Sequence, residues 1–550
     1  MSTEQDIAFP TLQPEELAAL AARGHPRSVR GGEYLFKAGD RNFCFYIVLD
    51  GSIEILEQSD GEPRVVAVHR SGQFTGDVDM LTGRAAVVNA RMAEDGHVLE
   101  MNTGELRRAV DELPDIGEKI LKAFLTRREL LLSQGFSVVK IIGSRFSPDA
   151  HRLRDFALRN AIPFRWIDLE TDEQADALLR QFNVPASATP IVISRDGRWA
   201  SKPSNAEFAQ CAGLSLTLED DHVYDLVVVG AGPAGLAASV YAASEGLDVL
   251  AADALAAGGQ AGTSTRIENY LGFPTGISGT ELARNALLQA QRFGARITVP
   301  VTVRALGIDG GERIVTLTDG TRLRSRCVLV ASGVKYRKLD LPEFTAFEGA
   351  GIYYAATDME AKLCRGEEVV VVGGGNSAGQ AIVYLAKYAR KVHVLLRGPD
   401  LAASMSRYLV DRIRGFENVT IHTRTRVTGL EGDGHLSAVD TESEGGEART
   451  FQTTSLFLFI GADANTDWLR GCVALDRRGF VLTGTALPPD TAELERWRGA
   501  GRVPYLLETS LPGVFAAGDV RSESVKRVAS AVGEGAMAVS FVHAYIARPA

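Results

Sequence analysis

Cysteine is scarce and scattered in this chain of 550 residues: five in all, Cys44, Cys211, Cys327, Cys364 and Cys472. No two form a CxxC, and none has the spacing of a zinc site, so no metal is expected. The pattern argues against a disulfide-stapled framework and predicts isolated thiols in a reducing cytoplasm. A surplus of basic charge is missing too. Lys and Arg number 59 against 69 Asp and Glu, a net charge of -10, which argues against a general nucleic-acid-binding surface. The opening Met1-Ser2-Thr3-Glu4-Gln5-Asp6 is acidic where an export leader would be basic and then apolar, so no export signal is expected. Nor is an uninterrupted membrane span expected. Leu226 to Ala243 carries no charge, but Gly230, Gly232, Pro233 and Gly235 break it in a pattern better explained by a soluble core.

What the chain does contain starts with that same stretch. Leu226-Val227-Val228-Val229 reads as a buried parallel strand, and Gly230-Ala231-Gly232-Pro233-Ala234-Gly235 opens a helix. Gly230 permits the tight turn and Gly232 lets backbone approach a pyrophosphate. Gly235 allows close helix packing, and the helix N-terminus supplies amides for the phosphates. Asp253 follows at the end of the next strand, about 20 residues on, where a carboxylate takes a ribose hydroxyl. A second fingerprint stands at Glu368 to Ala378: an apolar strand, then Gly373-Gly374-Gly375-Asn376-Ser377-Ala378. Two such units predict two dinucleotides, with hydride passing between them. The fold class is multidomain α/β, because the length exceeds what one core holds.

Upstream, short strands with glycine turns predict a small barrel: Tyr34 to Phe36, Cys44 to Leu49, Ser52 to Leu56 and Val65 to Val68. The Gly39-Asp40 turn, the stretch Tyr46 to Gly51, and the cassette Phe74-Thr75-Gly76-Asp77 through Gly83-Arg84-Ala85-Ala86 resemble a cyclic-nucleotide-binding domain of the catabolite-activator type. In that family a cassette glutamate holds the ribose, while arginine and a following hydroxyl hold the cyclic phosphate. Here Asp77 and Ala85 replace the glutamate and the hydroxyl, and Arg84 is kept. Gly76, Asp77 and Arg84 are therefore the candidate nucleotide contacts, with a structural or relay role favoured over binding. Ile116, Ile120, Phe124, Leu125 and Leu131 predict the long helix that follows such a barrel.

Next comes a βαβα order: Val138 to Ile142, a helix from Ser147, Phe164 to Asp168, a helix near Ala175, and Thr189-Pro190 before Ile191-Val192-Ile193. It resembles a glutaredoxin or thioredoxin-like module, and the resemblance makes Pro190 a candidate cis-proline. The family's redox cysteines would stand at the start of the first helix, where this chain has Ser147 and Ala150. No serine replaces a thiolate pair, so a docking or structural module is expected.

From His222 onward the chain resembles the thioredoxin reductase class of flavoproteins. Gly258-Gly259-Gln260, Ile267 to Pro274 with Asn269, Ala331-Ser332-Gly333, and Gly513 to Asp519 match that family's flavin-lining segments in order. The match implies FAD held by Gly230, Gly232, Pro233, Ala234, Gly235, Asp253, Gly259, Gln260, Asn269, Ala331, Ser332, Gly333, Gly518 and Asp519. Asp519 would hold the ribityl chain, and Arg527-Val528-Ala529 would lie against the ring. It likewise implies a nicotinamide cofactor on Gly373, Gly375, Asn376, Ser377 and Ala378. NADPH-using relatives end the following strand in a basic run; here Arg397 and, further on, Arg407 remain and no acid intervenes, which favours NADPH and leaves NADH open. The family's CxxC and the acid after it correspond to Tyr354, Thr357 and Asp358, the candidate catalytic positions. Tyr354 is expected to pack on the flavin or shield it. Thr485 to Arg502, with its charged run Asp490 to Arg498, reads as a solvated surface insertion or a partner-contact loop.

The expected division is 12–135 for the barrel, 137–216 for the thioredoxin-like module, 222–334 with 460–550 for the FAD domain, and 335–459 for the NAD(P) domain. The module order resembles the flavoprotein subunit of alkyl hydroperoxide reductase with both cysteine pairs absent. Expected is a cytoplasmic homodimeric oxidoreductase passing electrons from NAD(P)H through FAD to ferredoxin, a quinone, oxygen or a redox protein. Ferredoxin reductases of thioredoxin-reductase type also lack CxxC. The alternative is a flavin-based redox or nucleotide sensor with little turnover.

Overall fold

The computed structural model describes residues 4–57, 63–77, 79–133, 139–181, 184–194, 197–214, 218, 222–488, 497 and 502–548. Two antiparallel sheets make the N-terminal barrel. One joins His25–Val29, Gly96–Met101 and Phe45–Asp50; the other joins Tyr34–Phe36, Asn89–Met92, Ser52–Glu57 and Arg64–Arg70. Their inward residues, among them Phe45, Ile47, Ile53 and Leu99, form one core with Ile120 and Phe124 of a long helix. A short helix α1 (Glu4–Ala8) packs on that long helix, α2 (Pro114–Ser133). Pro114 starts α2 at the one place where a missing N–H costs nothing.

The next unit is a four-stranded sheet in the order Trp199–Ser201, Ile191–Ser194, Val139–Gly143, Phe164–Asp168. The first strand of its sequence runs parallel to Phe164–Asp168 and antiparallel to Ile191–Ser194. Helix α3 (Pro148–Arg159) makes the parallel crossover, capped by Ser147, whose hydroxyl accepts from the Ala150 amide at 3.3 Å. Separate apolar clusters cover the two sheet faces. Thr189-Pro190 is cis. Val138, at the start of the expected first strand, lies outside the described residues.

Two doubly wound units follow. In the first, Arg296–Thr298, Val249–Ala252, Val223–Val229, Arg322–Val330 and Val514–Ala516 run parallel, and a hairpin extends Arg322–Val330. Its helices include α4 (Pro233–Ser244) and α5 (Gly279–Arg292). In the second, Ile352–Tyr353, Leu456–Leu458, Glu368–Val372, Lys391–Leu395 and Val419–His422 are all parallel, beside α6 (Asp358–Leu363) and α7 (Asn376–Leu385). Continuous apolar runs make these central strands because both faces are covered. Leu226 and Val228 belong to one core and Val227 and Val229 to another; Val369 and Val371 likewise separate from Val370 and Val372. The chain passes between the two units along a two-stranded ribbon, Val334–Tyr336 against Ala462–Ala464.

Within the insertion Thr485 and Ala486 are exposed, as a solvated excursion would have them, but Trp497 departs from that expectation. Trp497 is 4% exposed, its Nε1 donating to the Ser510 carbonyl at 3.2 Å. Arg502 stacks over that indole at 4.7 Å and forms a two-pronged pair with Glu508, at 2.6 and 2.7 Å. A charged run is a poor guide here because the aromatic within it is buried, held by the Ser510 carbonyl and Arg502. The rest of Asp490 to Arg498 lies outside the described residues. Glu508 is fully buried and also accepts from the Tyr505 and Gly513 amides, at 3.0 and 2.8 Å, which fixes the turn into Val514–Ala516.

Removing one member of a buried pair strands the other charge. Glu508→Ala is expected to cost about 3–5 kcal/mol of stability in urea unfolding, and the double change Arg502→Met with Glu508→Leu less. A loss for Glu508→Ala below about 1 kcal/mol, the scale of an exposed pair, contradicts this assignment.

Candidate active site

The first fingerprint turns at Gly230, whose φ of 106° suits glycine. A Cβ there would stand 2.3 Å from the Ala331 carbonyl oxygen. The segment Ala331-Ser332-Gly333 therefore lies directly beside the fingerprint. Gly232 caps α4, and Gly259 sits over it, so that a Cβ on Gly259 would meet the Gly232 Cα at 3.0 Å. Gly518 comes up against Ala234, and Gln260 donates to the Val334 carbonyl at 2.7 Å. These residues, with Pro233 and Gly235 on the first turn of α4, form one cradle at the carboxyl ends of the parallel strands.

Around that cradle the carboxylates differ. Asp253 accepts from the amides of Ala231, Leu255 and Ala256 at 2.8, 2.9 and 3.1 Å, holding the loop beside the glycines. Asp519 is half-buried, and burial raises its carboxyl above the usual range against the pull of Lys526. Arg527 caps the C-terminal helix Val528–Ile546, which begins with Val528 and Ala529. Asn269 is exposed, on a loop closed by the bridge between Ile267 and Ile277.

The second fingerprint repeats the construction. Gly373 has φ 138°, and a Cβ on it would lie 2.4 Å from the Phe459 carbonyl oxygen. Gly375 caps α7 in open space. Asn376 accepts from the Ser406 amide at 2.7 Å; Ser377 is exposed and Ala378 buried. Arg397 is exposed just beyond the strand Lys391–Leu395, and Arg407 is 94% exposed, paired with Asp411 at 3.6 Å.

Between the fingerprints, each of the three candidate catalytic positions is bonded into the protein. Tyr354 donates to Glu348 at 2.6 Å and stacks on Tyr336 of the ribbon at 5.2 Å and 4°. Burial and the Glu348 carboxylate push its phenol further from ionisation. Thr357 caps α6: its hydroxyl accepts from the Met359 amide at 3.3 Å, and Glu360 returns to the Thr357 amide at 2.8 Å. Asp358 accepts from the Tyr384 hydroxyl. Glu360 is 3% exposed and meets His151 of α3 at 3.1 Å, docking the preceding unit on α6. Burial would raise the Glu360 carboxyl, but the bonds from His151 and Thr357 outweigh it and lower it.

Sulfur offers no substitute nearby. Cys364 ends α6 fully buried, and burial pushes its thiol up to about 12; the same cause takes Cys327 to about 12 and Cys44 to about 11. Thiolate chemistry needs the opposite environment.

The three candidate nucleotide contacts of the barrel are not brought together. Gly76 and Asp77 line a partly open cavity between the barrel, α1 and α2, whereas Arg84 lines a second cavity between the units and donates to the Asn160 carbonyl at 3.0 Å. A carbonyl at the end of α3 draws the arginine away from the barrel interior. In its place stands Arg127 of α2. The sequence reading missed it, although a signal existed: Arg127 interrupts the apolar stripe Ile116, Ile120, Phe124, Leu131 at helical spacing.

Comparison with known proteins identifies two regions. The pattern of the pyridine nucleotide-disulphide oxidoreductase family matches residues 224–535, and that of the cyclic nucleotide-binding domain matches 26–112. A thioredoxin reductase of Mycolicibacterium smegmatis is 34% identical over 319 residues, covering 58% of this chain and 94% of the relative. One from Streptomyces clavuligerus is 31% identical over 327 residues, covering 59% and 94%. The solved thioredoxin reductase of T. acidophilum superposes with a TM-score of 0.52 at 29% identity, covering 59% of this chain and 99% of the other.

The cap assignment for Thr357 is directly testable. Thr357→Ala is expected to cost about 1 kcal/mol, as a lost N-cap does, and Thr357→Ser to restore most of it, both read by urea unfolding. Equal stability for Thr357→Ala and the parent protein refutes the cap.

Proposed function

The chain belongs to the pyridine nucleotide-disulphide oxidoreductase family as an NAD(P)H-dependent flavoprotein, and from that premise we propose that its electrons reach an external acceptor without passing through a dithiol of its own. The observation that carries this reading is the bonding of Tyr354 to Glu348 and of Thr357 into the cap of α6, where a redox pair would otherwise stand. Cys364, six residues past Asp358, is too deeply buried to serve.

FAD would supply the two-electron redox chemistry between NADPH and the acceptor. The chain's residues fit that cofactor. Gly232 and the first turn of α4 present amides to a pyrophosphate beneath the Gly259 backbone. Asp253 is the ribose carboxylate. Asp519, whose burial disfavours its charge, gains from hydroxyl donors of a ribityl chain. Ala331, Ser332, Gly333, Gln260 and Asn269 complete the cradle, with Arg527, Val528 and Ala529 at the ring. On the second fingerprint, Gly373, Gly375, Asn376, Ser377 and Ala378 take the nicotinamide cofactor, and Arg397 with Arg407 takes the 2′-phosphate. Tyr354, stacked on Tyr336 where the ribbon joins the two units, shields the space beside the cradle.

The units divide at 12–135, 137–216, 222–334 with 460–550, and 335–459. We assign 137–216 to a thioredoxin-like fold without its thiols, supported by its sheet order and α3 crossover, and give it a docking role. The acceptor class that the relatives' names point to is a redox protein, with ferredoxin, a quinone and oxygen as the others to test. Among the described residues no helix is long and apolar enough to cross a membrane. A homodimer is the proposed assembly.

Anaerobic mixing of the FAD-loaded protein with NADPH is expected to bleach the flavin band, with turnover on adding an acceptor. Flavin that stays yellow removes the enzyme reading. A variant with all five cysteines replaced is expected to turn over at the parental rate; a rate that falls with the cysteines shows a thiol relay. Arg397→Gln is expected to raise the KM for NADPH roughly ten- to hundredfold, the cost of a charge-assisted hydrogen bond, and to leave NADH unchanged. A parallel rise for both cofactors argues against a 2′-phosphate contact.

A further inference from the structure

The partly open cavity between the barrel, α1 and α2 has a volume of about 400 Å³, within the roughly 300–1,000 Å³ of small-molecule sites. Its wall is largely apolar, with Phe36, Phe43, Ile55, Val66, Val88 and Leu130 among the lining residues. Two buried polar side chains interrupt it: Arg127, 6% exposed, and His69, 2% exposed. Arg127 donates from Nε to the Ala8 carbonyl and from Nη1 to the Gly76 carbonyl, both at 2.7 Å. Its Nη2, and Nδ1 of His69, are buried without a hydrogen-bond partner among the described residues. Phe9 joins them, its ring 5.8 Å from the His69 ring and 5.4 Å from the Arg127 guanidinium.

A buried guanidinium with an unmade hydrogen bond is unfavourable; the Phe9 and Phe74 rings, 5.4 and 4.8 Å from it, stabilise its charge but give Nη2 no acceptor. Burial lowers the Arg127 guanidinium to about 9, still charged at neutral pH; Asp77 in the same cavity opposes that shift, but its carboxylate also stands 3.9 Å from Arg128. Glu4 is at the exposed rim. Burial and the Arg127 charge lower the pKa of His69 well below its ordinary value, so its ring is neutral and in one tautomer donates from Nδ1. The site thus offers one cationic donor and one neutral donor above an apolar chamber.

We propose that the barrel binds a small organic carboxylate with an aliphatic or aromatic body, its headgroup on Arg127 and His69 and its body among the apolar wall residues. A cyclic nucleotide fits less well: its phosphate would need Arg84, which is bonded to Asn160 outside this cavity.

Titration calorimetry on the FAD-loaded full-length protein tests this with octanoate and octanol, which share a chain and differ in charge. Octanoate is expected to bind one per chain, and octanol at least about tenfold more weakly, the scale of one charge-assisted hydrogen bond. Arg127→Met, which keeps bulk and drops charge, is expected to bring octanoate down to the level of octanol; Arg84→Met is expected to change neither. Equal affinity for the two probes, no heat from octanoate at millimolar concentration, or loss of octanoate binding in Arg84→Met each overturns the proposal. So does cyclic AMP that displaces octanoate and depends on Arg84. Should Arg127→Met fail to fold, the comparison of the two probes on the parent protein still decides. None of these readouts depends on turnover.

Discussion

Both nucleotide cradles depend on a backbone contact that any side chain would forbid. At Gly230 and at Gly373 a Cβ would come within 2.3 and 2.4 Å of a carbonyl oxygen just past a strand remote in sequence, Ala331 in one case and Phe459 in the other. Each contact brings the turn after one parallel strand against the end of its neighbour. That leaves the helix N-terminus facing the crevice beyond the carboxyl edge of the sheet, where phosphate-bearing ligands bind in such folds. Gly235 adds a third such approach, since a Cβ there would stand 1.9 Å from the Gly230 carbonyl. The position of α4, and hence of the Gly259 loop over it, follows from contacts that only hydrogen atoms permit.

This is also why those parts were legible in the sequence. A four-residue apolar run, a glycine where φ must be positive, and an acid at the end of the next strand are local signals with local causes, and Gly230, Gly373 and Asp253 carry them. The strands, α3 and the long helix fall where periodicity puts them. The pair of Arg502 and Glu508 has no such signal. Arg502 closes a stretch that reads as solvated surface, Glu508 lies beyond it, and only the fold makes them a buried pair. The meeting of His151 with Glu360, more than two hundred residues apart, is hidden for the same reason. Arg127 is intermediate: its place on an apolar stripe was visible, but what that meant required the cavity.

Replacing a redox pair with other residues need not leave a hole. Tyr354 has an acceptor in Glu348 and a ring partner in Tyr336, Thr357 starts a helix, and Asp358 holds Tyr384. Three positions that resemblance marks as reactive have become part of the packing between ribbon, α6 and α7. Chemistry at this loop would require breaking those bonds first.

A buried residue helps tie the N-terminal units to the cradle. Asn160, 4% exposed at the end of α3, donates to the Leu255 carbonyl at 3.0 Å, and its own carbonyl accepts from Arg84 of the barrel. Its neighbour Arg159 donates to the Gly259 carbonyl at 2.8 Å. Barrel cassette, α3 and the loop over the first fingerprint therefore share a short chain of hydrogen bonds through groups with little freedom to move. Arg84, which a cyclic-nucleotide domain would keep for its ligand, here serves that junction. That junction holds Arg84 outside the barrel cavity, and the arginine among the cavity's described lining residues is Arg127.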